Sequence, residues 1–547
     1  MTGYAQLWAA APGSWDEAGV AWRGLAEPVR RRRAGLADRA AALRAGWSGG
    51  AATAAGGRID GLRAELVTVL PALVETDQVL AEFAGRLRVA KARLADAVAL
   101  ADRTGVAVDR HGGVGPAVPV WRGPESGAVP GGPVGRGGSA ELPGGRAGGD
   151  RAALDRVAAA VRDALTLADA ADREAAARLV ELSLAARTGW VDGPPPGRPA
   201  GDAAPAAVRA WWAGLSPAQR RWLVVHEPGW VGRLDGVPAA ARDQANRLLL
   251  AGRREALLAE RRALAGRVPR DRAGLRRVAA ALTVLDRLAG RLASTPPRAY
   301  LLGLDPRGDG RAIVALGNPD RAARVLTYVP GMTTDLADVP GELGRAARVQ
   351  ARCGDLAPGE ETAAVLWLDY DAPDFLTEAA GAAQARDAGP ALHRFQEGLR
   401  ATHEGPAARQ TVLGHSYGSL VVGSAARDYG LDADALAFVG APGVGVDRAG
   451  ALGLPADRVW ASTAPNDVIR LVEPPRELAG RAVLAASPLA SAGWLLRPDD
   501  HRLWFGHDPS DPAFGGRTFP SGRYGHTGYW EPGNPALDGM ARIVLGR

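Results

Sequence analysis

The segment Thr411-Val412-Leu413-Gly414-His415-Ser416-Tyr417-Gly418-Ser419-Leu420 holds the pattern Gly-x-Ser-x-Gly between an apolar run and a stretch that continues as a helix through Val421, Val422 and Ala425. A serine so placed can serve as a nucleophile. The chain must turn so sharply from strand into helix that a side chain two positions before or after the serine would collide with its neighbours, and glycine avoids the collision. The helix start sets backbone N–H groups and partial positive charge beside an anion forming on a bound carbonyl. The bland alternative is a glycine-rich structural turn. The position at a strand-to-helix junction favours Ser416 as nucleophile.

A nucleophile on such an elbow draws its acid and then its histidine from the ends of later strands. The histidines downstream are His501, His507 and His526. His526 stands in the Gly-flanked loop Gly525-His526-Thr527-Gly528-Tyr529-Trp530 before the final helix, whereas His507 lies in the polar stretch Gly506-His507-Asp508-Pro509. Asp467 directly follows the apolar run Val459–Ser462; Asp434 precedes its strand, and Asp447 and Asp457 lie in the connection after Gly440. The expected trio is Ser416, Asp467 and His526. For the oxyanion, the run Val325–Val329 leads into Pro330-Gly331-Met332, so an N–H of Gly331 or Met332 can join that of Tyr417. The acids of the loop Leu368-Asp369-Tyr370-Asp371 read as rim or structural groups. Cys353, the single cysteine, reads as a buried or incidental thiol.

These residues need a sheet to hold them. After Pro297, short apolar runs bounded by Gly, Pro or Asp recur at Tyr300–Leu304, Ala312–Leu316, Val325–Val329, Val365–Leu368, Thr411–Leu413, Leu436–Val439 and Val459–Ser462. Ala-rich helical segments separate the later runs. That alternation predicts a doubly wound, mostly parallel sheet whose first two or three strands form a meander. The 58 residues between Asp467 and His526 exceed what a direct return requires, so part of this stretch is expected to cover the site. Leu489, Trp494, Leu495, Leu496, Trp504 and Phe505 would then line an acyl pocket, with packing beneath the sheet as the alternative.

Before Pro297 the period is helical. Trp15, Trp22, Leu25, Val29, Leu36 and Leu43 form one apolar stripe, and Leu62, Leu66, Val69, Leu73, Leu80, Phe83, Leu87 and Leu94 form another. The break at Gly46-Trp47-Ser48-Gly49-Gly50 predicts an antiparallel helical hairpin over 1–110, with Pro28 and Pro71 as kinks. Of the 39 residues from His111 to Gly149, 20 are Gly or Pro, which makes 111–150 a linker. A helical domain is expected over 151–295, and the doubly wound domain over 296–547. Within the helical domain, Ser216, Pro217 and Gln219 have the spacing of N-cap, first helical residue and capping-box partner.

Two resemblances follow from these motifs. The Trp47-Ser48-Gly49 turn between two helices resembles the small helical WxG proteins of type VII secretion, over about 1–105. From about 205 onward, Trp211-Trp212, Leu215-Ser216-Pro217, Leu234-Asp235-Gly236-Val237-Pro238, Val329-Pro330-Gly331 and Gly414-His415-Ser416-Tyr417-Gly418 resemble an actinobacterial α/β-hydrolase family. That resemblance implies a serine hydrolase acting on an ester or related acyl bond, without naming a substrate. Acyl transfer through the same three residues stays open, as does an interaction protein associated with type VII secretion in which the hydrolase fold is secondary.

The net charge of +6 arises almost wholly from arginines interleaved with 60 acids, a pattern of solvated helices that argues against nucleic-acid binding, and Arg30–Arg33 reads as a solvated face. No metal or organic cofactor is implied, and no run reaches the length of a membrane span. The hairpin leaves apolar area that a helical partner or a second copy would cover through residues 15–100. The first residues lack a basic segment before an apolar core, and no tyrosine lies between Tyr4 and Tyr300 to form the Tyr-x-x-x-Asp/Glu signal that the WxG resemblance would call for. A cytoplasmic location is therefore expected, with type VII-like export as the alternative.

Overall fold

Alanine, leucine and arginine dominate the first three hundred residues; none is branched at Cβ, and all favour helix. The computed structural model describes residues 3–116, 147–188, 194–195, 197–266, 271–293, 296–374, 379, 381–471 and 501–547. Most of the linker expected over 111–150 lies outside these residues, as do Leu489, Trp494, Leu495 and Leu496. The described part opens with helices Tyr4–Ala9, Pro12–Gly46 and Gly50–Thr104, the strands β1 (Val106–Val108) and β2 (Val114–Pro116), and helix Ala147–Thr188. Helices Pro205–Gly214, Pro217–His226, Pro228–Val231, Ala239–Ala265 and Arg272–Ala293 follow. Among the described residues, no helix is long and apolar enough to cross a membrane.

The chain divides into two compact units. One comprises Met1–Ser14 and Phe83–Ala177. Its core sets Leu87 and Leu94 against Leu7, Val157 and Val161, an apolar stripe at helical spacing on each long helix. The strands β1 and β2 form a small antiparallel hairpin in this unit.

The other unit comprises Trp15–Glu82 and Arg178–Arg547. Its first two helical segments break at Trp47–Gly49, where Gly49 takes a φ of +104° that disfavours any side chain. They run side by side: Arg44 reaches Asp60 near the turn, Gly19 lies against Asp77, and Ala26, Leu70 and Leu73 are buried together. Pro28 and Pro71 both lie inside helices that continue through them. Trp15, Trp22, Leu25 and Leu43 stay 37–50% exposed, so much of the stripe read on the first helix faces outward. Ser216 caps its helix as the spacing indicated, its hydroxyl accepting from the Gln219 N–H while the Gln219 side chain accepts from the Ser216 N–H.

The sheet follows as β3 (Ala299–Asp305), β4 (Arg311–Leu316), β5 (Arg324–Val329), β6 (Thr362–Leu368), β7 (Arg409–His415), β8 (Ala435–Val439) and β9 (Val459–Ser462). After β10 (Arg502–Leu503) and β11 (Gly506–His507), which pair with each other, β12 (Arg517–Thr518) adds to its edge. The order is β12-β9-β8-β7-β5-β6-β4-β3. The meander stops at two strands: β3 and β4 are antiparallel neighbours, but β5 passes beyond the place of β6 and pairs parallel with both β6 and β7. Helices Val339–Leu356 and Pro535–Leu545 pack together, as do Ala383–Thr402 and Tyr417–Tyr429. The strands are accordingly buried almost throughout, as parallel strands covered on both faces must be. The expected all-helical first half thus carries one short β-hairpin, β1 and β2, and the mostly parallel sheet flanked by helices that follows matches the α/β-hydrolase architecture. Val329 pairs with Gly414, His415 with Val439 and Val439 with Ser462, so the loops after β5, β7, β8 and β9 leave one edge together.

Candidate active site

Ser416 follows β7 and precedes helix Tyr417–Tyr429, with φ 53° and ψ −128°. A non-glycine residue with positive φ is strained, and the surroundings hold it there. A Cβ on Gly414 would come within 2.5 Å of Ser419 Cα, and one on Gly418 within 2.3 Å of the Val329 carbonyl oxygen. Both flanking glycines are therefore required by contact with backbone. Gly331 makes the same demand from the β5 loop, because its Cβ would fall 2.7 Å from Ser416 Cβ.

Ser416 Oγ lies 2.9 Å from His526 Nε2. On the other side of the ring, Nδ1 lies 2.8 Å from Asp467 Oδ1 and 3.0 Å from Oδ2. The ionised carboxylate can only accept, so Nδ1 carries the proton and Nε2 accepts from the serine hydroxyl. Ser416 and Asp467 are buried, and the His526 side chain is a quarter exposed. Burial alone would raise the Asp467 pKa, but hydrogen bonds from His526, Tyr529 and the Ile469 N–H outweigh it and hold the carboxyl below its ordinary range.

The competing residues named from the sequence are engaged elsewhere. His501 and His507 both face Asp511, at 3.4 and 3.3 Å. Asp434 accepts from the Gln410 N–H, Asp447 pairs with Arg502 and Asp457 with Arg517. Met332 lies in the loop beside Gly331 and is partly buried against the core. Tyr417 opens its helix, where N–H groups lack intrahelical acceptors. Phe505 stacks edge-on against Tyr417 with ring centres 6.0 Å apart. Cys353 is buried, and burial pushes its thiol up to about 12, far from thiolate reactivity. Among the described residues, no group of three or more His, Cys, Asp or Glu side chains is placed to hold a metal ion.

Four contributors were not singled out from the sequence. The Tyr529 hydroxyl donates to Asp467 Oδ2 at 2.5 Å and accepts from the Ala464 N–H at 2.9 Å. His415 Nε2–H donates to the His526 carbonyl at 2.9 Å. Burial, reinforced by the neighbouring His526, lowers the His415 pKa to about 3, so this ring is neutral and its proton is committed to that bond. The Tyr370 hydroxyl donates to the Pro330 carbonyl at 2.7 Å and steadies the loop that carries Gly331. Gly440, at φ +56°, leaves room for the acid and the histidine, since its Cβ would meet Asp467 Oδ2 at 2.9 Å and His526 Nδ1 at 3.1 Å. The spacing His526-x-x-Tyr529 was the available signal for the first of these.

An elbow after β7 and an acid and histidine on later loops of this sheet are the layout of an α/β hydrolase. Residues 305–478 match the family described as alpha/beta hydrolase. The chain is 30% identical over 387 residues to the uncharacterized protein Rv2079 of Mycobacterium tuberculosis, covering 64% of this chain and 56% of that protein. It thus spans little more than half the length of that relative. It is also 30% identical over 233 residues to the uncharacterized protein Mb0988c of Mycobacterium bovis, covering 39% of this chain and 87% of that protein. The chain belongs to the same family as these mycobacterial proteins and carries an alpha/beta-hydrolase domain. A hyperthermophilic esterase from the archaeon Pyrobaculum calidifontis is 13% identical with a TM-score of 0.24, covering 54% of this chain and 96% of that one, a likeness too slight to carry an argument.

Proposed function

We propose that this protein is a serine hydrolase that cleaves an ester or related acyl bond through an acyl-enzyme. The observation that carries the reading is the continuous line of hydrogen bonds from Ser416 Oγ through His526 to Asp467. As Oγ attacks the substrate carbonyl, its proton passes to His526 Nε2, and Asp467 stabilises the resulting imidazolium. The N–H groups of Gly331 or Met332 and of Tyr417 receive the oxyanion. Collapse of the tetrahedral intermediate expels the alcohol, which takes the proton from Nε2. Water then repeats the sequence on the acyl-serine and releases the acid.

Labelling with a fluorophosphonate probe tests the assignment. The parent protein should react at Ser416, and Ser416→Ala should neither label nor turn over an ester, with kcat down by on the order of a millionfold. Equal labelling of parent and variant would overturn it.

A further inference from the structure

A cavity of about 440 Å³ lies among helices Pro12–Gly46, Gly50–Thr104, Ala239–Ala265 and Arg272–Ala293, and none of its described lining residues belongs to the Ser416 site. Its volume falls within the range of small-molecule sites. Val20, Val74, Leu250 and Leu292 give it an aliphatic lining, and Arg23 and Arg247 add two guanidinium groups whose side chains are only 12% and 13% exposed.

Those two arginines, partly buried at the cavity wall, belong to a cluster of five charges whose other members, Arg298, Asp77 and Asp243, are buried. Arg298 Nε donates to Asp77 at 2.9 Å, and its other arm lies 2.9 Å from Asp243. Arg247 donates to Asp243 at 2.7 Å, while Arg23 stands 3.8 Å from Asp77. Arg23 and Arg247 also donate to the Leu292 carbonyl, which carries no charge. Three guanidiniums thus share two carboxylates, so the cluster holds one positive charge in excess at the partly buried wall of the cavity. Buried charge is ordinarily balanced, because an unbalanced one retains much of its desolvation cost. Arg23 bears this cost: burial lowers its pKa, and repulsion from Arg247 and Arg298 works against the pull of Asp77 and Asp243. Elsewhere in the lining, Arg254 is neutralised by Asp286 at 2.5 Å, and Arg30 adds a further guanidinium that is engaged outside the five-charge cluster.

We propose that this cavity binds an amphiphilic monoanion, a carboxylate bearing an aliphatic chain, with its head group on Arg23 and Arg247 and its chain along Val20, Val74 and Leu250. One negative charge balances the cluster; two would reverse the excess. The inference stands apart from the chemistry proposed at Ser416. It is tested on the full chain carrying Ser416→Ala, by calorimetric titration with octanoate, octan-1-ol and acetate at low ionic strength. Octanoate should bind, with octanol and acetate at least tenfold weaker. Adding Arg23→Met, which keeps the aliphatic stem and removes the excess charge, should weaken octanoate at least tenfold without lowering the melting temperature of the unliganded protein. Ala251→Phe, which fills the cavity from its apolar side, should give the same loss of binding. Absence of octanoate binding, equal binding of octanol, or an octanoate affinity indifferent to either substitution would overturn the proposal.

Discussion

A single side chain can govern a site through groups it does not itself react with, and Tyr529 is placed to do so. Burial, then its bond to Asp467, holds the phenol far above its ordinary pKa, so it stays protonated and donates. Its bond fixes one carboxylate oxygen, while the other accepts from the Ile469 N–H. Tyr529→Phe keeps the ring in its packing against Trp530 and His415 and removes that donor, together with the acceptor of the Ala464 N–H. A hydrogen bond to a charged group contributes about 1.5–3 kcal/mol. The expected outcome is a fall of about tenfold in kcat with KM nearly unchanged, measured on any ester the parent turns over. A change confined to KM would show that Tyr529 shapes binding and does not position the acid.

At the scale of elements, the β5 loop and the β7 elbow touch so closely that their glycines act as spacers. Gly331→Ala would place a methyl group 3.2 Å from Ser416 Oγ and closer still to its Cβ. Neither neighbour can yield, because the elbow is set by Gly414 and Gly418 against backbone atoms. Gly331→Ala should therefore slow fluorophosphonate labelling by at least tenfold while leaving the melting temperature within a few degrees of the parent. Labelling at the parental rate would mean that the two loops can separate. The glycines flanking Ser416 were legible from the sequence because the motif states their spacing. The need for Gly331 and Gly440 was not, since it arises for Gly331 from Ser416, 85 residues on, and for Gly440 from Asp467 and His526, 27 and 86 residues on.

Within the larger unit, a buried polar network ties the segment Trp15–Glu82 to the sheet. Glu82 accepts from Arg178 at 2.5 Å, Asn318 at 2.8 Å and the Tyr300 hydroxyl at 3.1 Å, and Arg321 lies 3.4 Å away. Burial alone would raise its pKa, but Arg178 and Arg321 prevail and bring it down to about 2. A carboxyl whose folded pKa is depressed stabilises the fold fully above its unfolded value of about 4.3, and that contribution is lost as pH falls toward 2. Glu82→Gln removes the carboxylate facing Arg178 and Arg321, of which Arg321 keeps Glu404 at 3.1 Å, and should lower stability by about 3 kcal/mol at pH 7. The gap between variant and parent should narrow by about 2 kcal/mol at pH 3, read by urea unfolding at both values. A gap independent of pH would remove the ionised carboxylate from the account.

The seven principal strands, the capping box at Ser216 and the three residues that meet at Ser416 could all be read from the chain, because each is encoded in local spacing: apolar runs between breakers, a cap three residues before its partner, glycines on either side of a serine. Asp467 and His526 needed only the added rule that partners lie on later loops of one sheet edge. What tertiary structure alone decided is which distant groups meet. The passage of β5 beyond β6, the bond from Tyr529 to Asp467, the hold of His415 on the His526 backbone and the five-charge cluster beneath the helical cavity all join residues far apart in sequence or turned toward each other by packing. A side chain's type and local period state how it wants to be solvated. Only the closed fold sets which partner answers it, because burial turns an unpaired charge or a missing hydrogen bond into a cost that the surrounding elements must meet.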